Sequence, residues 1–344
     1  LSAKIKDVAR VAGVSVTSVS RVINGGEHIS AKLEKKVRRA IEELNYSPSL
    51  IAKSLKRNKT NLIGVIIPDI TSNFQASILS YIEDTAGKKG YNLLISNIVE
   101  DTDKVVKYLN IYQEMRVDGI ILMHGKMNED IRTFLERTTI PVVTQADLGI
   151  PLTSVHIDDY QGAYEATSYL VNNGHRRIAM ITGDLRDISA GKHRLEGFLA
   201  ACQHYQIEVD SSMIKYGDYK INTGYRLMNE LLDEGSPVQA VFAASDEMAV
   251  GAINCLHDRG LSVPGDVSVI GFDGSQIADI IKPALTTIRQ PIKQMGQVTV
   301  ELLLDLIESV NDTIDAGKFK RVVLPHHLHV GSSCRKSDSD RERN

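Results

Sequence analysis

At 344 residues, with 42% apolar and 24% charged positions, the chain is too long for one small core and too apolar for a disordered protein, so two or three folding units are expected. No apolar run reaches the length of a membrane span, and the start Leu1-Ser2-Ala3-Lys4-Ile5-Lys6 lacks the basic lead and apolar stretch of a secretory signal, which reads as a cytoplasmic protein. The net charge of −3 hides a split: the first 60 residues hold 13 Lys/Arg against 5 Asp/Glu, a balance of +8, which leaves −11 for the rest. Such asymmetry is the footprint of a polyanion-binding end. Cys202, Cys255 and Cys334 are far apart and show no metal or redox spacing, so they read as incidental thiols.

In chain order, Ile5, Val8, Ala9 and Ala12 recur at helical spacing until Gly13-Val14 breaks the pattern, and Ser15 stands where an N-cap would start a second helix. That helix, Val16 to Ile23, turns Val19, Val22 and Ile23 inward and leaves Val16, Thr17, Ser20 and Arg21 outward. A third helix is expected from the Ser30 cap to about Leu44, with Val37, Ala40, Ile41 and Leu44 inward and Lys32, Lys35, Lys36, Arg38 and Arg39 available for phosphates. The outcome is an all-α helix-turn-helix headpiece over residues 1–47. Residues 48–60 form a linker whose segment Ser49 to Arg57 allows barely two helical turns, too few to be stable alone in water.

From Asn61 onward apolar strands alternate with amphipathic helices, the pattern of a parallel sheet with crossover helices. Leu62–Ile67, Leu93–Ser96, Gly119–Leu122, Pro141–Thr144 and Ser154–Ile157 read as strands of one unit. Ile178–Ile181, Ala240–Ala243 and Val267–Gly271 open a second series with the same rhythm. An α/β body of two lobes follows over 61–330, the first about 61–160 and 290–319, the second about 161–289 and 320–330, with a polar tail at 331–344. No G-x-G-x-x-G or P-loop appears.

The runs Ile5-Lys6-Asp7-Val8-Ala9-Arg10, Ala12-Gly13-Val14-Ser15 and Val19-Ser20-Arg21-Val22-Ile23-Asn24 resemble the LacI/GalR repressor family, and the likeness continues through Ala40 to Pro48 and Ala52-Lys53-Ser54-Leu55. In the body it covers Gly174-His175-Arg176-Arg177-Ile178, Ser245-Asp246-Glu247-Met248-Ala249, Ile270-Gly271-Phe272-Asp273 and Leu285 to Pro291. The resemblance implies a periplasmic-binding-protein-like body with ligand at the carboxyl ends of the strands between the lobes. It also implies DNA contacts from Ile5, Lys6, Ser15, Val16, Thr17, Ser18, Ser20, Arg21, Asn24, His28 and Ser30, and from Ala52 and Leu55 in a hinge helix whose leucine enters the minor groove. Arg21 can offer a bidentate fork to guanine, while Val16 and Thr17 can touch base edges and thymine methyls. Val16-Thr17 resembles galactose- and ribose-repressor types, which points to an operator unlike that of the lac repressor.

For the effector, the resemblance implies Arg194 and Asp273 as the pair that binds ligand hydroxyls, with Asn73, Phe74, Tyr219, Ser245, Phe272 and Gln290 around them. Three positions depart from the family pattern. Ser49 replaces the usual Asn, Ala146 stands where an acidic residue is common with Asp147 following, and Gly274 replaces Asp or Asn. The expected function is a transcriptional repressor whose operator affinity is set by a small ligand, a sugar or sugar derivative, acting as inducer or corepressor. A catabolite-control type answering to a phosphocarrier protein and a pure small-molecule binding protein are the alternatives, although the second leaves residues 1–60 without a role. Neither catalysis, a metal nor a cofactor is assigned: Asp158-Asp159 falls where the chain crosses between lobes, and the His326-His327-x-His329 run has no acidic or thiol partner close in sequence. A palindromic operator requires a homodimer, and the tail lacks the apolar heptads of a tetramer zipper.

Overall fold

The computed structural model describes residues 3–23, 29–46, 59–99, 101–235, 237–309 and 319–336. The chain divides into two compact units, Leu1–Asn61 and Leu62–Asn344. The hinge residues Ala52 and Leu55, together with Asn24, His28 and Ser49, lie outside the described residues.

In the first unit α1 (Ile5–Ala12) ends at Gly13, whose φ of 65° gives the left-handed turn that a Cβ would resist. Ser15 Oγ then accepts the Ser18 amide at 3.1 Å and starts α2 (Val16–Ile23). Ser30 Oγ accepts the Leu33 amide at 3.3 Å at the head of α3 (Ala31–Glu43). Val8, Ala9, Ala12, Val19, Val22, Val37 and Ala40 close one small core, against which Ile5, Ile23, Ile41 and Leu44 pack half-buried.

The second unit opens with β1 (Leu62–Ile67), α4 (Asn73–Lys88), β2 (Asn92–Asn97), α5 (Asp103–Glu114), β3 (Gly119–Leu122), α6 (Glu129–Arg137), β4 (Val142–Thr144) and β5 (Thr153–Ile157). The chain then crosses to a second lobe of α7 (Asp159–Asn172), β6 (Ile178–Thr182), α8 (Arg194–His204), β7 (Ile214–Tyr216), α9 (Ile221–Asp233), β8 (Ala240–Ala243), α10 (Asp246–Asp258), β9 (Ser268–Asp273), α11 (Gln276–Ile280) and β10 (Thr286–Arg289). It returns in α12 (Ile292–Ser309), which packs on α4 and β3, and continues into β11 (Arg321–Leu324) and β12 (His327–His329).

The two sheets run β11-β5-β4-β3-β1-β2 and β12-β10-β9-β8-β6-β7. All described pairings are parallel except β10 with β12. Each lobe therefore repeats one strand order, with its reversal beside β1 in the first and β6 in the second. Loops leaving opposite ways there open a crevice at the carboxyl ends. The inner strands are buried on both faces and read as nearly unbroken apolar runs, as in Ile63, Val65, Ile66 and Ile67, whereas the edge strands β2, β7, β11 and β12 are part-exposed.

Two boundary expectations are corrected. Residues 321–324 join the first lobe, because Val322 and Leu324 pack on its core and Arg321 to Leu324 pair with Ser154 to Ile157; the chain thus crosses between lobes a third time at 325–326. The polar tail begins later than 331, since Ser333 is fully buried, donates its hydroxyl to Val269 O at 2.6 Å and accepts the Thr286 amide at 2.9 Å. The short strands β7 and β11 had no periodic signal in the sequence.

Candidate functional site

In the head, Lys6, Ser15, Val16, Thr17, Arg21 and Ser30 are exposed, and Ser18 and Ser20 are half-buried. Val16, at the first turn of α2, is 40% exposed. Ile5 instead packs against the head core. Of the flanking cations, Arg38 is engaged by Glu34 at 2.7 Å, while Lys32, Lys35, Lys36 and Arg39 stand exposed.

In the body a cleft forms where strand ends of both lobes face each other. The first lobe contributes Pro68, Asp69, Ser72, Phe74 and Gln75 after β1 and Met123, His124 and Gly125 after β3. From the second come Asp187, Ala190 and Arg194 after β6, Asp218, Tyr219 and Lys220 after β7, and Ser245, Glu247, Asp273 and Ser275 after β8 and β9. The empty space is about 760 Å³ with its open mouth included.

At its floor lies a buried charge group. Arg194 Nε donates to Asp159 Oδ1 at 2.8 Å, and Nη1 donates to Ala244 O at 2.6 Å and lies 3.4 Å from Asp273 Oδ1. The guanidinium stacks 3.7 Å over the centre of the Phe272 ring. Burial works against its charge, but Asp159 and Asp273 outweigh it and raise the pKa of Arg194. Asp273 has φ 116°, a strained backbone for a residue with a Cβ, and is fixed by Gln290 Nε2 at 2.9 Å. Burial pushes its carboxyl well above the usual range despite Arg194. Behind it, burial moves Asp246 up to about 6, opposed by hydrogen bonds from Thr287 and Ser275.

The walls are tied across the cleft. Asn73 donates both its backbone N–H and Nδ2 to Glu247 Oε1, at 2.7 and 3.3 Å. Lys220 lies 3.7 Å from Asp69 and Lys126 3.6 Å from Asp184, while the Asp147 amide donates to Ser189 Oγ at 2.9 Å. Burial disfavours the Asp69 charge, yet hydrogen bonds from Thr71 and the nearby Lys220 hold its pKa below the ordinary value. His124 is buried and, with Lys126 adding to the effect, is held neutral down to about pH 4. A π-helical turn at Ile188–His193, capped by Asp187, delivers Arg194 to the floor, and such turns concentrate at functional sites.

Of the eight expected effector residues, Phe74, Arg194, Tyr219, Ser245 and Asp273 line the cleft. The other three stand outside its lining. Phe272 is fully buried beneath Arg194, Gln290 stands behind Asp273, and Asn73 is turned to Glu247. Asp69, His124, Asp187, Asp218, Lys220 and Glu247 line the cleft without having been anticipated. Asp69, His124 and Asp187 stand in loops that follow the apolar strands β1, β3 and β6, as in Ile66-Ile67-Pro68-Asp69, and that position is the signal that could have found them; Glu247 lies in the first turn of α10, and Asp218 and Lys220 follow β7, which carries no such run. The departures have local reasons: Ala146 is buried, Asp147 pairs with Arg321 away from the cleft, and Gly274 has φ 68° with the Arg289 side chain where a Cβ would stand. His326 lies 3.2 Å from Glu165 and His329 3.9 Å from Asp279, but among the described residues no group of three or more potential ligands could hold a metal. Among them, too, no helix is long and apolar enough to cross a membrane.

Comparison with known proteins matches residues 4–49 to the bacterial regulatory proteins of the lacI family and residues 167–334 to a periplasmic binding protein-like domain. Catabolite control protein A of Priestia megaterium is 36% identical over 337 residues, 97% of this chain and all of that protein. The transcriptional repressor PurR of Pasteurella multocida (strain Pm70) is 37% identical over 316 residues, 90% of this chain and 93% of its own. Among solved structures, the lac repressor dimer bound to operator and an anti-inducer superposes with TM-score 0.85 at 28% identity, covering 97% and 99% of the two chains. The regulator CelR in complex with cellobiose gives 0.73 at 31% identity, covering 96% and 99%.

Proposed function

Because the chain belongs to the lacI family of bacterial regulatory proteins, we propose that it represses transcription by holding a palindromic operator as a homodimer in the cytoplasm, with a carbohydrate in the interlobe cleft setting the grip. The chain is a transcription regulator and not an enzyme. One observation carries the carbohydrate reading: the charged groups Arg194 and Asp273 and the aromatic side chains of Phe74 and Tyr219 line the same cleft. Charge-assisted hydrogen bonds orient hydroxyls, and aromatic rings cover the C–H face of a sugar. Supporting it, CelR, a structural neighbour of this chain, is described in complex with cellobiose. A phosphocarrier protein as corepressor would leave this walled cleft without a role.

The physical link is a population shift. A ligand that touches both lobes favours the closed arrangement by its differential affinity alone, and operator binding responds by the same coupling free energy. Fluorescence anisotropy with a labelled operator palindrome at fixed salt, with and without a panel of mono- and disaccharides, tests this. Release or tightening by one sugar is the expected result. Specific operator binding indifferent to every sugar overturns the carbohydrate reading, and absence of specific DNA binding overturns the whole.

A further inference from the structure

The cleft carries far more negative than positive charge. Even without Asp273, whose carboxyl burial pushes upward, Asp69, Asp187, Asp218 and Glu247 line it against Arg194 and Lys220. Both cations are already matched within the fold, Arg194 by Asp159 and Asp273 and Lys220 by Asp69. At the edge Lys126 is met by Asp184, and His124 contributes no charge near neutral pH. A phosphate or carboxylate entering here meets carboxylates that outnumber cations, and like charges repel more strongly the less water stands between them.

Hydroxyls meet the opposite situation. Each O–H can donate to a carboxylate and gain a charge-assisted bond without a desolvated charge of its own. Gln75 Oε1, buried in the same wall, has no hydrogen-bond partner among the described residues and is one more acceptor suited to a donor, since a buried polar atom left unmatched is costly. Excess acceptors over donors in a site of this size define the ligand by its complement.

We propose that the interlobe cleft selects an uncharged, hydroxyl-rich effector and rejects the phosphorylated or carboxylate form of the same compound. This rests on the cleft being the effector site and adds the charge class of the ligand.

The test is titration calorimetry on the full chain at fixed ionic strength with matched sets: glucose, glucose 6-phosphate and gluconate; ribose and ribose 5-phosphate; galactose and galactose 6-phosphate; cellobiose and cellobiose 6-phosphate. Inorganic phosphate at equal concentration measures the nonspecific pull of the basic head. The expected result is saturable binding of an uncharged member, with its phosphate ester roughly a hundredfold weaker or undetected, the scale of a like-charge juxtaposition. In the double variant Glu247→Gln with Asp218→Asn, that gap narrows at least tenfold. A phosphorylated member binding as tightly as its parent, with binding lost in Lys220→Gln, overturns the proposal, and so does silence from every uncharged member. Operator binding by the same preparation is read separately: where it is intact, only the charge class fails, and where it is lost, the regulator reading fails.

Discussion

Arg194 Nε and Asp159 Oδ1 lie 2.8 Å apart, both nearly sealed from solvent, so the cation at the cleft floor is tied to the first residue after the chain leaves one lobe for the other. Asp158 caps α7 by accepting the Gln161 amide at 2.9 Å, while Asp159, its neighbour, turns inward. The pair thus joins the cleft floor directly to the start of α7, where the chain has just crossed between the lobes. Arg194→Ala leaves Asp159 and Asp273 buried without their cation and should destabilise the body by about 3–5 kcal/mol, read as a lower urea midpoint. Asp159→Asn keeps a hydrogen-bond acceptor for Nε and should fold, yet weaken the effector's influence on operator affinity more than the affinity of the effector-free protein. Equal loss of both would assign Asp159 a structural role alone.

In the head, Arg21 is exposed on α2, and a guanidinium there can offer a bidentate fork to a guanine edge. Arg21→Ala should cost about 1–3 kcal/mol of specific binding and relax preference at one operator position. Lys36→Ala, on the outer face of α3, should weaken all sequences alike and reduce the salt slope by about one. Anisotropy on operators varied one base at a time separates the two, and a sequence-independent loss for Arg21→Ala would remove it from the readout set.

Gly183 follows β6 beneath the Tyr219 phenol, and a Cβ there would overlap the ring. Gly183→Ala should therefore displace Tyr219 into the cleft. The expected outcome is effector affinity reduced about tenfold or more, the loss of one well-placed aromatic contact, with operator binding by the effector-free protein retained. Unchanged affinity in calorimetry would show that Tyr219 does not cover the ligand.

How far all this was legible follows from distance along the chain. The head was readable almost residue by residue, because Gly13, Ser15 and Ser30 act within a few positions of the helices they delimit. The strands were readable from apolar runs. The cleft was not, since its walls meet across separations such as the 174 residues between Asn73 and Glu247. Nothing local in Asp218 or Glu247 says which lobe each will face. The late crossing through β11 was hidden for another reason: Arg321-Val322-Val323-Leu324 is an edge strand with half its side chains exposed, and its partner β5 lies more than 160 residues earlier.

Two of the buried histidines, His124 and His175, weigh against the body's stability in acid. His124 is held near pKa 4 by burial and then by Lys126, and His175 near 4 by burial and then by Arg335 and Arg176. In the unfolded chain both accept a proton near 6.5, so between about pH 6.5 and 4 the unfolded state binds more protons than the folded one. Their contribution to stability is therefore complete above pH 6.5 and declines as pH falls through that window. Asp246 acts in the other direction: its folded pKa is raised from 3.8 to about 6, so its share is present at low pH and lost as pH rises from about 4 to 6. The double variant His124→Gln with His175→Gln deletes the first component and keeps the second. Between pH 6.5 and 4.5 it should lose less stability than the parent, even where its stability at pH 7 is lower. Urea midpoints at the two pH values check this, and parallel losses in variant and parent would show that neither histidine is held neutral in the folded protein.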